Sequence, residues 1–240
     1  VKALSIPRSG ASAVALAGRI ACHDVREGAG KLVLRKGQAI DAALAAAVLR
    51  APWDEIHVLE LEPGDLHEEA AGGRLSQAAA GDGVEVKGYA GGQWTLSATR
   101  RGLLRVRSGE LHEANRPAGI SIFTLYDLQP VEPGETVAKA KVTPLAISEA
   151  TVKRVEAVSW GAGGLVSVRG FTPRALGALT RETLEPRQRQ RFETALREKV
   201  DWFGSRLLAV RYSGGDAPAV ATELRALLAE GAEVLIVAGA

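Results

Sequence analysis

Two short runs near the end of the chain carry residue types that can hold an anion. Ser213-Gly214-Gly215-Asp216 joins a hydroxyl, two glycines and a carboxylate immediately before Ala217-Pro218. Glycines let backbone N–H groups approach a ligand, and the start of a following helix attracts phosphate. The same residues also read as a plain helix start, with Asp216 as N-cap and a proline just inside. The two roles are compatible. The second run, Ala238-Gly239-Ala240, follows the apolar Val234-Leu235-Ile236-Val237. Neither run is the six-residue dinucleotide fingerprint or a P-loop with its lysine. The candidate ligand-binding residues are Ser213, Gly214, Gly215, Asp216, Ala238, Gly239 and Ala240; no catalytic residue is assigned.

Other chemistry-bearing residues favour plainer readings. His23, His57, His67 and His112 lack zinc-site spacing, so no metal site is expected. His23 follows Cys22 directly, which in a strand puts the two side chains on opposite faces and leaves the thiol unactivated. Gly161-Ala162-Gly163-Gly164 precedes the strand-like Leu165-Val166-Ser167-Val168 rather than a helix, so it reads as a flexible turn. Arg181, Arg187, Arg189, Arg191 and Arg197 interleave with Glu185, Glu193 and Glu198, the pattern of a solvated helix face. Trp94 and Trp160 lie near glycines and read as core-edge aromatics. No Ser–His–Asp arrangement is evident.

The elements that must position the two runs follow from periodicity. Leu207 to Tyr212 reads as a strand, Ala217 to Glu230 as a helix, and Val234 to Val237 as a strand buried on both faces. In such a unit ligands bind outside the carboxyl ends of the strands. Upstream, Val155 to Ser159 reads as a strand and Thr172-Pro173 as a helix start. Arg187 to Phe203 reads as an amphipathic helix with Phe192, Leu196, Val200 and Phe203 on one stripe. The order β, α, α, β, α, β predicts a mainly parallel sheet over 151–240. Residues 1–80 form a small α/β module, with Asp41 capping a helix from Ala42 to Arg50 and a second helix from Leu66 to Ala79 weakened by Gly72-Gly73. Residues 81–150 hold short apolar segments at roughly ten-residue spacing, separated by turns such as Ser108-Gly109, which predicts a β-rich module.

Composition narrows the function classes. Of 240 residues, 46% are hydrophobic and 24% charged, which permits an ordinary globular core. A net charge of +2 gives no nucleic-acid footprint. The single cysteine excludes an internal disulfide framework and fits a reducing compartment. No apolar run approaches the ~20 residues of a membrane span, and the first residues form no signal-peptide core. A cytoplasmic protein with no membrane partner is expected; its oligomeric state is left open. The chain contains no methionine, and its stop after a buried-type strand reads as a C-terminal truncation.

Gly18 to Ile40, with Ala21-Cys22-His23-Asp24-Val25 and Leu34-Arg35-Lys36-Gly37, resembles the start of bacterial molybdopterin-binding proteins of the MoaB/Mog-like family, some of them fused to a nucleotidyltransferase. Leu61-Glu62-Pro63-Gly64-Asp65 is similar to that family's turn after its second strand. Asn115 to Ile147, with Ile120 to Leu125 and Val137 to Pro144, is the closest stretch. The resemblance implies a three-layer α/β/α domain over 151–240, incomplete at its C-terminus. It implies molybdopterin or molybdenum cofactor as a small-molecule pterin ligand, with a role in cofactor biosynthesis or handling. The family's Asp-containing loop falls on Gly215-Asp216, and its glycine-rich loop begins at Ala238-Gly239-Ala240, where both alanines depart from the usual residues. Trp160 to Val168 lacks the pattern of catalytic members. A non-catalytic interaction module and a nucleotide- or sugar-phosphate-binding enzyme remain the alternatives.

Overall fold

Alternation and capping build the start of the chain. Strand β1 (Lys2–Pro7) precedes a 3-10 turn and helix α1 (Ala13–Leu16). Strands β2 (Ile20–Ala21), β3 (Val25–Arg26) and β4 (Leu32–Leu34) follow, then helix α2 (Ala42–Arg50) and strand β5 (Glu55–Glu60). The Asp41 carboxylate accepts from the Leu44 N–H at 2.7 Å, satisfying one of the orphan donors of α2. β5 lies between β1 and β2, antiparallel to both. Leu16, Leu34, Val48, Ile56 and Val58 bury together beneath it.

The computed structural model describes residues 1–28 and 30–239, and it divides into two compact units, Val1–Arg169 and Gly170–Ala240. The rest of the first unit begins with β6 (Asp65–His67), α3 (Glu68–Ala79), β7 (Val84–Ala90), β8 (Gln93–Ala98) and β9 (Gly102–Val106). It continues through α4 (Ser108–Ala114), β10 (Ile120–Thr124), β11 (Pro130–Val131), β12 (Thr136–Val142) and β13 (Ala146–Ser148). It closes with α5 (Glu149–Gly161) and β14 (Val166–Gly170). An antiparallel sheet runs β10-β12-β8-β7, and a second sheet runs β11-β9-β14. Leu75, Leu96, Ile122, Val155 and Val166 belong to one core.

Two contacts fix α3. Trp94 lies against Gly72 and Gly73, where an added Cβ would meet its ring at 2.9 and 3.1 Å, and its indole N–H donates to the Glu69 carbonyl at 2.9 Å. The glycine pair that weakens helix propensity thus makes room for an aromatic at the core edge. Arg74 bridges α3 to α5, donating to Glu156 at 2.6 Å and to Glu149 at 2.9 Å. The Glu156 side chain is 5% exposed, so its charge depends on this partner.

The second unit is built from β15 (Ala175–Thr180), α6 (Pro186–Trp202), β16 (Arg206–Tyr212), α7 (Ala217–Ala229) and β17 (Val234–Ala238). Its sheet runs β16-β15-β17 with both pairings parallel. Leu176 and Ala178 pack with Leu196 and Val200 of α6, whereas the intervening Gly177 lies against Leu227 of α7. Successive strand residues face opposite ways, so the two helices cover opposite faces.

The structure corrects several expectations. Val155 to Ser159 is the middle of α5, not a strand: Val152, Val155, Glu156 and Ser159 are buried at helical spacing, and Ser148 caps the start by accepting from the Thr151 N–H. Thr172-Pro173 opens no helix; it leads into β15, a continuous apolar run that forms the middle strand. The C-terminal order is therefore α5, β14, β15, α6, β16, α7, β17. Ser108-Gly109 starts α4 rather than ending in a turn. The molecule is mixed α/β, and most of its sheets are antiparallel.

Candidate functional site

The predicted ligand-binding residues sit at one edge of the second unit. Ser213, Gly214, Gly215 and Asp216 connect β16 to α7, and Ala238 and Gly239 end and follow β17. Ala240 lies outside the described residues. Because β15 separates β16 from β17, the two runs reach one another through the loop after β15. The Ser213 N–H donates to the Thr180 carbonyl at 3.0 Å, and the Arg181 N–H donates to the Ala238 carbonyl at 3.0 Å. Gly239, at φ +90°, abuts Glu182: a Cβ there would meet the Glu182 Cγ at 2.8 Å. A side chain at position 239 would be strained by the backbone and by Glu182 alike.

Capping accounts for part of the first run. The Asp216 carboxylate accepts from the Ala219 N–H at 3.1 Å, at the start of α7. Gly215 leaves room for that turn, since a Cβ would lie 2.7 Å from the Ala219 Cβ. Gly214, Gly215 and Asp216 are exposed. Tyr212 anchors the loop from behind: its hydroxyl donates to Glu193 at 2.9 Å and Arg189 lies 4.3 Å from its ring centroid. Burial, then the Glu193 carboxylate, raises the Tyr212 phenol above its ordinary value. The phenol therefore stays neutral at pH 7.

Sequence reasoning missed Thr180 and Glu182 and put Arg181 on a helix face; Thr180 ends β15, Arg181 and Glu182 follow it before α6 begins, and all three stand between the two runs. The Thr180 side chain is buried and its hydroxyl accepts from the Glu182 N–H at 3.3 Å. Their signal was the apolar run Ala175 to Leu179, masked by the preceding Thr-Pro. What the described residues of the edge offer a ligand is backbone N–H groups, a helix start, Arg181 and Ser213, beside the carboxylates of Glu182 and Asp216.

The unit's apolar cavity lies elsewhere. It measures about 360 Å³ and is lined by Phe171, Leu176, Leu196, Val200, Phe203 and Ile236, with Arg174, Ser205 and Val234 marking the amino ends of the strands. The other motifs have structural roles. Gly161-Ala162-Gly163-Gly164 turns α5 into β14, with Gly164 packed on Gly81. His67 bonds the Gly37 carbonyl at 2.8 Å, and His23 accepts from the His57 N–H at 3.2 Å. Burial pushes the Cys22 thiol up, with Lys36 partly opposing. Among the described residues, no group of three or more His, Cys, Asp or Glu could hold a metal ion, and no helix is long and apolar enough to cross a membrane.

Comparison with known proteins adds little. No protein-family model matches the sequence, and no curated protein matches it. Among solved structures, the molybdopterin biosynthesis MoeA protein from Pyrococcus horikosii is weakly similar, at 11% identity and a TM-score of 0.19. The match covers 98% of this chain and 59% of that one, and a likeness this slight carries no argument about fold or ligand.

Proposed function

We propose that the second unit binds a phosphorylated pterin, molybdopterin or the molybdenum cofactor, at the carboxyl ends of β15, β16 and β17. The observation that carries this reading is the joined edge: Ser213 and Ala238 both bond to the end of β15, so three loops form one surface. The strand order makes that surface a topological switch point, because β16 and β17 flank β15 and their connecting helices cover opposite faces. Backbone N–H groups and the start of α7 supply favourable potential for a phosphate. The pterin itself comes from the resemblance of residues 18–40 and 115–147 to molybdopterin-binding proteins. The role is binding in cofactor biosynthesis or handling; the edge offers positioning groups.

The experiment is a calorimetric titration of the protein with molybdopterin under anaerobic conditions. Saturable binding at micromolar concentration is expected. No heat at that concentration, from folded protein, contradicts the reading. A nucleotide or sugar phosphate that raises the melting temperature when molybdopterin does not would favour a nucleotide- or sugar-phosphate-binding enzyme instead.

A further inference from the structure

The first unit concentrates guanidinium groups around a separate cavity. β9 and β14 are neighbours in their sheet, although their sequences lie far apart. Ser167 and Arg169 are two residues apart in β14, a step that returns a side chain to the same face of a strand, while Arg105 lies in β9 and Arg107 just past its end, at the start of α4. All four line one cavity of about 340 Å³, with Val106, Val168 and Asp82 completing it. That volume falls at the lower end of the range for small-molecule sites.

The charge there is not balanced internally. Arg105 is paired with Asp127 at 3.2 Å, and Asp82 is paired with Arg100. Arg107 and Arg169 form no ion pair among the described residues. Like charges held close together repel, and a bound anion would offset that repulsion. Arginine offers planar, paired donors that match the oxygens of a phosphate. The Ser167 hydroxyl adds a neutral donor beside them.

We propose that Arg105, Arg107, Ser167 and Arg169 form a binding site for a small, multiply charged phosphate, either a free pyrophosphate or the phosphate groups of a nucleotide. The site lies wholly in the first unit and does not depend on pterin binding by the second. Arg107 and Arg169 supply the uncompensated charge, Arg105 is held in place by Asp127, and the cavity limits the ligand to a compact group. Asp82 at the margin disfavours a long polyanion.

The test is calorimetric titration of the full chain with inorganic pyrophosphate, with a nucleoside diphosphate, and with a single-stranded oligonucleotide. Pyrophosphate or the nucleoside diphosphate is expected to bind one per chain, and whichever binds more tightly identifies the source of the phosphate. The double substitution Arg107→Ala/Arg169→Ala is expected to weaken that binding at least tenfold. Arg154→Ala, which removes an exposed arginine elsewhere in the first unit, should leave it unchanged. Both cavity arginines are exposed, so the double variant should fold, which its melting temperature checks. Arg169→Lys keeps the charge but loses the paired donors, and an intermediate loss is expected. Equal affinity of wild type and the double variant overturns the proposal. So does tighter binding of the oligonucleotide than of either small phosphate.

Discussion

The two candidate sites differ in where their attraction for an anion would come from. At the edge of the second unit it comes from the backbone: N–H groups, a helix start and glycine-lined loops held together by Ser213 and Arg181. In the cavity of the first unit it comes from side chains, with Arg105, Arg107 and Arg169 around one volume. A backbone site is specified by loop geometry and tolerates substitution of neighbouring surface charges. A side-chain site is specified by a few formal charges and loses function when two are removed. The same contrast holds for stability. Besides its apolar cores the first unit holds a buried carboxylate in the ion bridge between α3 and α5, whereas the ion pairs of the second, such as Arg211 with Glu223, are partly exposed and its two helices pack on a parallel sheet.

The largest effect is expected at the ion bridge. Arg74→Ala removes the partner of Glu156 and leaves a buried carboxylate alone, which costs about 3 kcal/mol. Urea denaturation should show this loss in a probe of the first unit, such as Trp94 fluorescence. A loss below roughly 0.5 kcal/mol, typical of a surface substitution, would mean the bridge is solvated.

A smaller effect is expected at the start of α7. Asp216→Ala removes the cap and costs about 1 kcal/mol of stability. It is also expected to weaken pterin binding, because the first turn of α7 then frays at the ligand edge. Unchanged affinity with the stability loss present would leave Asp216 as a cap alone.

The smallest effect is a pH dependence. The Glu233 carboxylate accepts from the Ala175 N–H and from Arg174, each at 2.8 Å, and these hold its pKa below the ordinary 4.5. The unfolded chain takes up that proton at a higher pH than the folded one. The contribution is therefore full above the ordinary carboxylate value and is lost as pH falls through the depressed one. Glu233→Gln should lose less stability than wild type as pH falls from 6 to 3, by a small margin because the pair is exposed to solvent. Parallel acid curves for the two proteins would remove Glu233 from the account. Glu149, held down by Arg74 and then by Lys153, acts in the same direction in the first unit.

How far the sequence could be read depended on where each signal lay. β16, α7 and β17 were legible as elements because a strand, an Asp-capped helix and an apolar strand follow one another within one short stretch, but β17 is an edge strand with Val234 and Val237 exposed, not a strand buried on both faces. α2 was legible through Asp41. α5 was misread because Val155, Ala157 and Val158 fall within a five-residue window short enough for a strand, and only the wider spacing from Val152 to Ser159 shows the helix. β15 was hidden by Thr172-Pro173, whose local preference for a helix start yielded to the burial of Ala175 to Leu179. That error also hid Thr180, Arg181 and Glu182, and with them the join between the two predicted runs. The arginine cavity had no local signal, since Arg105 and Arg169 meet only when β9 and β14 pair.

The most direct measurement is a map of backbone amide shifts by NMR during titration with molybdopterin. The largest changes are expected at Arg181, Glu182, Ser213 to Asp216 and Gly239. Changes confined to the cavity around Phe171 and Phe203, or to Arg105, Arg107 and Arg169, would contradict ligand binding at the carboxyl edge of the parallel sheet.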